Sequence, residues 1–451
     1  MLKVCKFGGS SLANAEQIRK VCDIMLSDPS RRIMIVSAPG KRSREDIKVT
    51  DLLIALANAR ISGYEGALEL KAVISRFADI ATDLNLPVAI VQEIEANLLE
   101  RVHDDTANTM RYLDSMKAAG EDNCARLVAC YLQKIGRTAS YVHPKEAGML
   151  LTEEYGNAQI LPEAYERLYE LRHQPGISVF PGFFGYTQSG RIVTFSRGGS
   201  DITGSILAAA TDAQVYENWT DVDSVYAVNP SIVSNPHPIY EITYNEMREL
   251  SYAGFSVLHE EALAPAYRKG IPVNIRNTNN PSARGTMIVK ERLNFEGVVT
   301  GIAGAKGFCS LNMSKYLMNR EVGFALKVLR ILADEQIPFE HMPSGIDSLS
   351  IIMRKDIFTP DKEKIITNRL LEELNVETLS VNRNLSIVII VGEAMARTVG
   401  VTARAANALS KAGVNLEIIN QGSSEISVMF GVREEYCNYA VKELYKEFFQ
   451  R

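Results

Sequence analysis

Residues 2–21 read LKVCKFGGSSLANAEQIRKV: an apolar run, a lysine, a glycine pair with two serines, then an amphipathic run. Residues 2–7 alternate toward a strand, Ile18, Val21, Cys22 and Met25 share one helical face of 14–26, and RIMIVSA at 32–38 is a second apolar run. Strand, loop, helix, strand is the opening of a parallel sheet and sets the fold class as α/β. Residues 193–210, VTFSRGGSDITGSILAAA, repeat that order of parts, with Arg197 before the glycine pair and Asp201 after it. Two loops of one kind in one chain point to one site.

The reading extends outward from these loops. Residues 51–140 are helical in periodicity with a break near 80–87, and short apolar runs between 177 and 217 resume the sheet. IPVNIRNTNNPSARGTMIV at 271–289 ends in a last strand, polar KERLNFEG at 290–297 reads as a linker, and everything before it reads as one α/β domain. Beyond it the chain repeats itself. Gly323, Leu332, Ile337, Gly345 and Ser350 match Gly400, Leu409, Val414, Gly422 and Ser427 at a constant offset of 77 residues, without a gap. Each copy reads helix, turn, strand, turn, strand, so the last third holds two small modules. GIAGAKG at 301–307 lacks the acid partner of a dinucleotide fingerprint and reads as a strand edge or turn.

With 451 residues the chain exceeds one ordinary core, so two or three domains are expected. A net charge of −5 gives no footprint for nucleic acid. No apolar run reaches the 18 or so residues of a membrane span. Six cysteines without a CxxC and six unclustered histidines argue against a disulfide framework and a zinc site, so no metal ligands are assigned. Lys41, Arg42 and Arg44, offset by Glu45 and Asp46, read as a solvated loop.

Glycines ahead of a helix let backbone approach an anion, and the unpaired N–H groups of the helix start favour negative charge. In KFGGSS the cation precedes the glycines, and no GxGxxG follows a strand, so the Walker and dinucleotide readings lose support. Arg197 suits a carboxylate gripped by two parallel hydrogen bonds, and Asp201, in the first turn of the next helix, suits an ammonium. Together they describe an α-amino acid. Glu121, in AAGEDNCARL, reads as a further acid at the start of another helical run.

KFGGSS at 6–11, VTD at 49–51, GE at 120–121, FSRGGSD at 195–201, WTDVDSVYAVNP at 219–230 and IPVNIRNTNNP at 271–281 closely resemble the aspartate kinases of the amino acid kinase superfamily. The repeat at 323–430 is similar to that family's tandem ACT domains. The resemblance implies an amino acid kinase-like αβα sandwich at 1–295, followed by two ferredoxin-like βαββαβ ACT domains at 311–383 and 384–451, the second completed by a strand from 298–308. It implies ATP- and Mg²⁺-dependent phosphorylation of the side-chain carboxylate of L-aspartate to 4-phospho-L-aspartate, the first step toward lysine, threonine and methionine. It further implies a cytoplasmic, monofunctional enzyme, a homodimer or dimer of dimers joined through the ACT domains, with no nucleic acid or membrane partner.

By the same match Lys6, Arg197 and Asp201 carry catalysis, and Thr50, Glu121, Arg197, Ser200 and Asp201 hold aspartate. Lys6, Gly8, Gly9, Ser10, Thr220, Asp221, Tyr226, Arg276, Asn277 and Thr278 hold the nucleotide. Met318, Ser344, Gly345 and Asp347 bind an inhibitory amino acid, lysine alone or together with threonine. Some positions depart from the family. Ser256 and Glu260 in AGFSVLHE replace a common lysine and proline, Ser231 replaces an arginine, and YVHPKEAG at 141–148 replaces an arginine-bearing segment. Either ATP binding is weaker, or Arg268, Lys269 or Arg276 substitutes for the lost cations. A kinase of glutamate or UMP, and an amino-acid sensor that has lost catalysis, are the competing readings; retention of Lys6, Glu121, Arg197 and Asp201 favours an active aspartate kinase.

Overall fold

The computed structural model describes residues 1–255 and 260–450; Ser256 lies outside the described residues, as does the side chain of Glu260. Strand β1 (Lys3–Phe7) runs into the glycine loop, α1 (Ala15–Leu26) returns, and β2 (Arg31–Val36) pairs with β1 in parallel. The Asn14 side chain caps α1 by accepting the Gln17 N–H at 3.0 Å, and Ile18, Val21, Cys22 and Met25 are all buried. Four helices follow, α2 (Val49–Ile61), α3 (Ala67–Asp83), α4 (Val88–Val102) and α5 (Thr109–Lys134), with the expected break at 84–87. Next come β3 (Ala139–Tyr141), the short helices α6 (Pro144–Ala147) and α7 (Ala164–Tyr169), β4 (Ile177–Pro181), and a hairpin of β5 (Phe184–Tyr186) and β6 (Ile192–Thr194). Then α8 (Gly199–Ala210), β7 (Val215–Thr220), β8 (Val225–Tyr226), β9 (Pro238–Ile239), β10 (Glu241–Thr243), α9 (Tyr244–Tyr252), α10 (Ala264–Lys269), β11 (Val273–Asn277) and β12 (Thr286–Val289) complete this part.

Eight of these strands form one sheet in the order β10-β12-β11-β7-β1-β2-β4-β3, antiparallel only between β11 and β12. Because β1, β2 and β7 run in parallel, the loops at their carboxyl ends gather on one edge, where ligands of open α/β sheets bind. β1 lies between β7 and β2, so the first glycine loop leaves from the middle of that edge.

Beyond residue 300 the elements are β13 (Gly301–Ser314), α11 (Phe324–Asp334), β14 (Ser348–Arg354), α12 (Pro360–Leu374), β15 (Thr378–Val391), α13 (Val401–Lys411), β16 (Ile418–Gln421), β17 (Ser427–Val432) and α14 (Cys437–Phe449). They build one five-stranded sheet, β14-β13-β15-β17-β16. β13 and β15 pair antiparallel from Gly301 opposite Val391 to Ser314 opposite Thr378, so the boundary drawn at 383–384 falls inside a continuous strand shared by both copies. GIAGAKG opens β13 as a strand edge: Gly301–Ala305 pairs only with β15, since β14 joins β13 from Phe308 onward, and the ladder is interrupted between Ala305 and Phe308, where Gly307 has φ +86°. A Cβ on Gly304 would lie 2.8 Å from Val441 Cγ2, so the glycine lets α14 pack on bare backbone.

The copies differ at one edge. In the second copy β16 pairs with β17, whereas the matching residues 341–344 of the first form only isolated bridges, His341 to Ile352 and Ser344 to Leu349. Pro338 and Pro343 lack the N–H groups a regular ladder there needs. By contacts the chain divides into two compact units: the first comprises 1–225, 238–247 and the described residues of 256–293, the second the remainder. Residues 226–237 and 248–255, assigned from the sequence to the first domain, thus cluster with the second unit. All six cysteines are free, and among the described residues no helix is long and apolar enough to cross a membrane.

Gly204 in α8 faces Tyr216 of β7, where an added Cβ would lie 2.5 Å from the phenol oxygen of a fully buried ring. Alanine gains about 1 kcal/mol of helix propensity over glycine. Overpacking costs about 1–3 kcal/mol, so the clash wins. Gly204→Ala is therefore expected to lower the thermal midpoint of the first unit in a scan; an unchanged or raised midpoint would show that α8 and β7 part without cost.

Candidate active site

At the centre of the sheet edge Lys6 and Asn218 sit side by side on paired strands, Lys6 on β1 and Asn218 on β7. Both turn to the face covered by α8. There Lys6 Nζ lies 2.5 Å from Asp201 Oδ1, and Asn218 Nδ2 donates to the same oxygen at 2.8 Å. Tyr216 OH donates to the Asp201 backbone carbonyl at 3.2 Å. Lys6 is only 8% exposed, and a Cβ placed on Gly8 would lie 3.7 Å from its ammonium, so the charge sits against the first glycine loop. Asp201 is thus the partner of Lys6. Arg197 is exposed and makes no ion pair or hydrogen bond among the described residues.

Each loop explains its glycines. The Gly8 N–H donates to the Trp219 carbonyl at 3.1 Å, and a Cβ on Gly9 would lie 2.9 Å from the Ala38 carbonyl oxygen. The turn of 3₁₀ helix Gly9–Leu12 has no side-chain cap. In the second loop Gly198 adopts φ +76°, and α8 begins without a side-chain cap, which leaves its first N–H groups open near Ser200. A Cβ on Gly199 would lie 2.4 Å from Phe183 Cδ2, and Phe183 itself is held at φ +76°, a conformation costly for a bulky side chain. The Phe183 N–H donates to Thr203 Oγ1 at 3.0 Å, so α8 keeps that strained residue in place.

Glu121 corrects the sequence reading. It lies in the middle of the 26-residue helix α5, not at a helix start. Gly120 is no helix break; a Cβ there would meet Ala38 Cβ at 2.7 Å, so it permits close approach of the segment after β2. Glu121 is 6% exposed and its Oε2 has no partner. Burial pushes its carboxyl up to about 8, against the opposing pull of the Ala38 and Glu121 backbone N–H groups and of Lys6. Thr50 stands in the first turn of α2, whose N-terminus also lacks a side-chain cap.

The residues expected around the nucleotide separate. The Thr278 N–H donates to the Thr220 carbonyl at 2.9 Å, Thr278 Oγ1 lies 2.8 Å from Ser11 Oγ, and Thr220 Oγ1 donates to Asp221 Oδ1 at 3.2 Å. Asn277 Nδ2 donates to Asp223 at 2.7 Å. These stand on the first loop's edge. Arg276 does not join Lys6: its guanidinium lies 4.6 Å from the Trp219 ring centre, donates to the Pro281 carbonyl at 2.6 Å and lies 3.8 Å from Glu217. Nor does Lys269, which pairs at 3.4 Å with Asp212, beyond the far end of α8 from Asp201, or its exposed neighbour Arg268. Tyr226 and Ser231 belong to the segment that clusters with the second unit. Asn218 and the 38–40 backbone are site groups the sequence reading missed; the alternation of β7 was the available signal for Asn218.

In the second unit the Lys315 N–H donates to Asp347 O at 3.0 Å and the Asn319 N–H to Ile346 O at 3.2 Å, which joins the Met318 turn to the turn of Ser344, Gly345 and Asp347. Asp347 Oδ1 is buried without a partner. At the same offset in the second copy Met395 and Gln421, the counterparts of Met318 and Ser344, help line a cavity of about 410 Å³.

Residues 1–277 match the amino acid kinase family, and 388–448 match the ACT domain. The chain is 53% identical over 448 residues to aspartokinase 3 of Bacillus subtilis, covering 99% of both. It resembles the crystal structure of Clostridium acetobutylicum aspartate kinase at 38% identity and TM-score 0.87, covering 99% of this chain and 100% of that one. It also resembles Escherichia coli aspartokinase III in complex with aspartate and ADP (R-state), at 26% identity, TM-score 0.77 and 99% coverage of both chains. The same enzyme in complex with lysine and aspartate (T-state) matches at 26% identity, TM-score 0.75 and 99% coverage of both.

A carboxyl raised by burial stays protonated in the folded chain while the unfolded chain ionises. The stability this contributes is fully present below the ordinary carboxyl value of 4.5 and is lost as pH rises through about 8. The thermal midpoint of the ligand-free protein is therefore expected to fall between pH 5 and 8, and Glu121→Gln to flatten that slope. Parallel slopes for the two proteins would remove Glu121 as the source.

Proposed function

Since the chain belongs to the amino acid kinase family and, within it, to the aspartokinases, we infer that it transfers the terminal phosphoryl group of ATP to the side-chain carboxylate of L-aspartate, giving 4-phospho-L-aspartate. The observation that carries the assignment of roles is Lys6, buried against the first glycine loop and paired with Asp201 at the start of the second. One cation thereby stands between an uncapped loop suited to phosphate and an acid suited to an ammonium.

The acceptor carboxylate, with a pKa near 4, is already ionised at neutral pH, so no general base is required. The difficulty is to hold an anion in line with a polyanion, which is positioning and electrostatic stabilisation. In this reading Gly8, Gly9 and Ser10 cradle the phosphates, Lys6 stabilises charge on the transferring group, and Thr220, Asp221 and the Asn277-Thr278 edge face the nucleotide. Mg²⁺ brought with ATP would neutralise phosphate charge beside the Gly8–Ser10 cradle. Thr50, Ser200, Asp201, Glu121 and Arg197 take aspartate, Arg197 closing on the substrate α-carboxylate from its exposed position. An arriving ammonium favours ionised Glu121, so aspartate binding releases a proton below pH 8.

The kinase domain is assigned to 1–295 and the ACT modules to 311–383 and 384–451. Lysine, the ligand of the E. coli T-state structure, is the proposed inhibitor, its ammonium groups suiting the unpaired Asp347 oxygen. Dimerisation through exposed faces of the ACT modules, and a cytoplasmic setting, complete the proposal. An effector there acts only by binding two global states unequally.

ADP release measured with aspartate and with glutamate tests the assignment: turnover with aspartate alone is expected, and equal rates contradict the substrate. Lys6→Met is expected to lower kcat about 10²–10³-fold, roughly 2.7–4 kcal/mol, with little change in the Michaelis constant for aspartate. A rise in the Michaelis constant for ATP alone would reduce Lys6 to a binding residue. Millimolar lysine is expected to slow the parent enzyme, and an unchanged rate contradicts regulation by lysine.

A further inference from the structure

Lys41, Arg42 and Arg44, read with Glu45 and Asp46 as a solvated loop, are exposed at the tip of the segment 37–48 between β2 and α2. Its base is different. Arg76 of α3 is 4% exposed, and its guanidinium spans the loop. Nη2 donates to the Gly40 carbonyl at 2.7 Å, and Nη1 donates to Asp46 Oδ2 at 2.7 Å and to the Ile47 carbonyl at 3.0 Å. Asp46 in turn accepts from the Arg42 N–H at 2.8 Å and from Arg42 Nε at 3.0 Å.

Both ends of the loop touch the site. The Gly40 N–H donates to the Gly9 carbonyl at 2.8 Å, and a Cβ on Gly40 would lie 2.6 Å from Gly9 C and 2.8 Å from Ser10 N. The Val49 N–H donates to the Pro39 carbonyl at 3.2 Å, next to Thr50. Only a planar fork with several donors can hold a carbonyl and a carboxylate on separated segments at once; an ammonium keeps the charge and loses the span.

We propose that Arg76 is a positioning residue for phosphoryl transfer, one that fixes the Gly8–Ser10 cradle through Gly40 and the start of α2 with Thr50 through Asp46 and Ile47. It touches neither substrate. The inference rests on the reading of these two segments as the nucleotide and aspartate sites.

The test uses the full chain with Arg76→Lys and Arg76→Ala. Trp219 is the only tryptophan and its carbonyl holds Gly8, so its fluorescence follows ADP binding independently of turnover. Arg76→Lys is expected to weaken ADP binding and to lower kcat/KM for ATP, each by about tenfold, with the loss also felt in KM for aspartate. Millimolar guanidinium chloride is expected to recover part of the Arg76→Ala loss, which a defect of folding alone would not allow. Kinetic constants and ADP affinity within about twofold of the parent in either variant overturn the proposal, as does a loss confined to thermal stability. A parent chain that binds ADP without aspartate-dependent turnover contradicts the kinase reading while Arg76 is still judged by ADP affinity, and a parent that binds no ADP contradicts both.

Discussion

The pair of Lys6 and Asp201 is the constraint on which the rest of the site depends. A buried ammonium is costly unless a counter-charge and hydrogen bonds meet it, and Asp201 can meet it only if α8 starts where it does. That start is set by the left-handed Gly198, by Gly199 against Phe183, and by Gly204 against Tyr216. Asn218 bonds the same carboxylate oxygen, so strands β1 and β7 and helix α8 converge on one acid. In the role proposed for Lys6 this is preorganisation: the charge is in place before a phosphoryl group would arrive.

The other face of the same strands holds a second charged group, Glu217, bonded to Arg31 at 2.8 Å and to the Trp219 indole at 3.0 Å, with Arg276 at 3.8 Å. Trp219 lies between the two guanidinium groups and gives its carbonyl to Gly8. Period-two alternation therefore assigns β7 two tasks. Tyr216 and Asn218 serve the site under α8, while Glu217 and Trp219 brace the first glycine loop from the opposite side. It also puts Arg276, paired across the ladder with Trp219, on the Glu217 and Trp219 side and away from Lys6.

Much of this was legible in the sequence because it is local. Apolar strands, glycine pairs and helix periodicity around 2–38 and 193–220 lie within one βα unit each, and the gapless repeat beyond 323 exposes itself by its own register. What was not legible depends on distant approach. Gly120 resembles a helix break until Ala38 is seen against it, and Glu121 accordingly moves from a first turn to mid-helix. Pro338 and Pro343 thin the edge strand of the first ACT copy, although the pattern of hydrophobic residues is the same in both copies. Arg76 lies 36 residues from Gly40, beyond the reach of any motif.

The central claim is that Lys6, held by Asp201, serves transfer to a side-chain carboxylate. The most direct measurement traps the product: the enzyme is run with ATP, L-aspartate and hydroxylamine, and the hydroxamate is located on the aspartate skeleton by mass spectrometry. The account predicts an ATP-dependent hydroxamate at the side-chain carbonyl, lost in Lys6→Met. ADP formation without a hydroxamate, or a hydroxamate at the α-carboxyl, would contradict it.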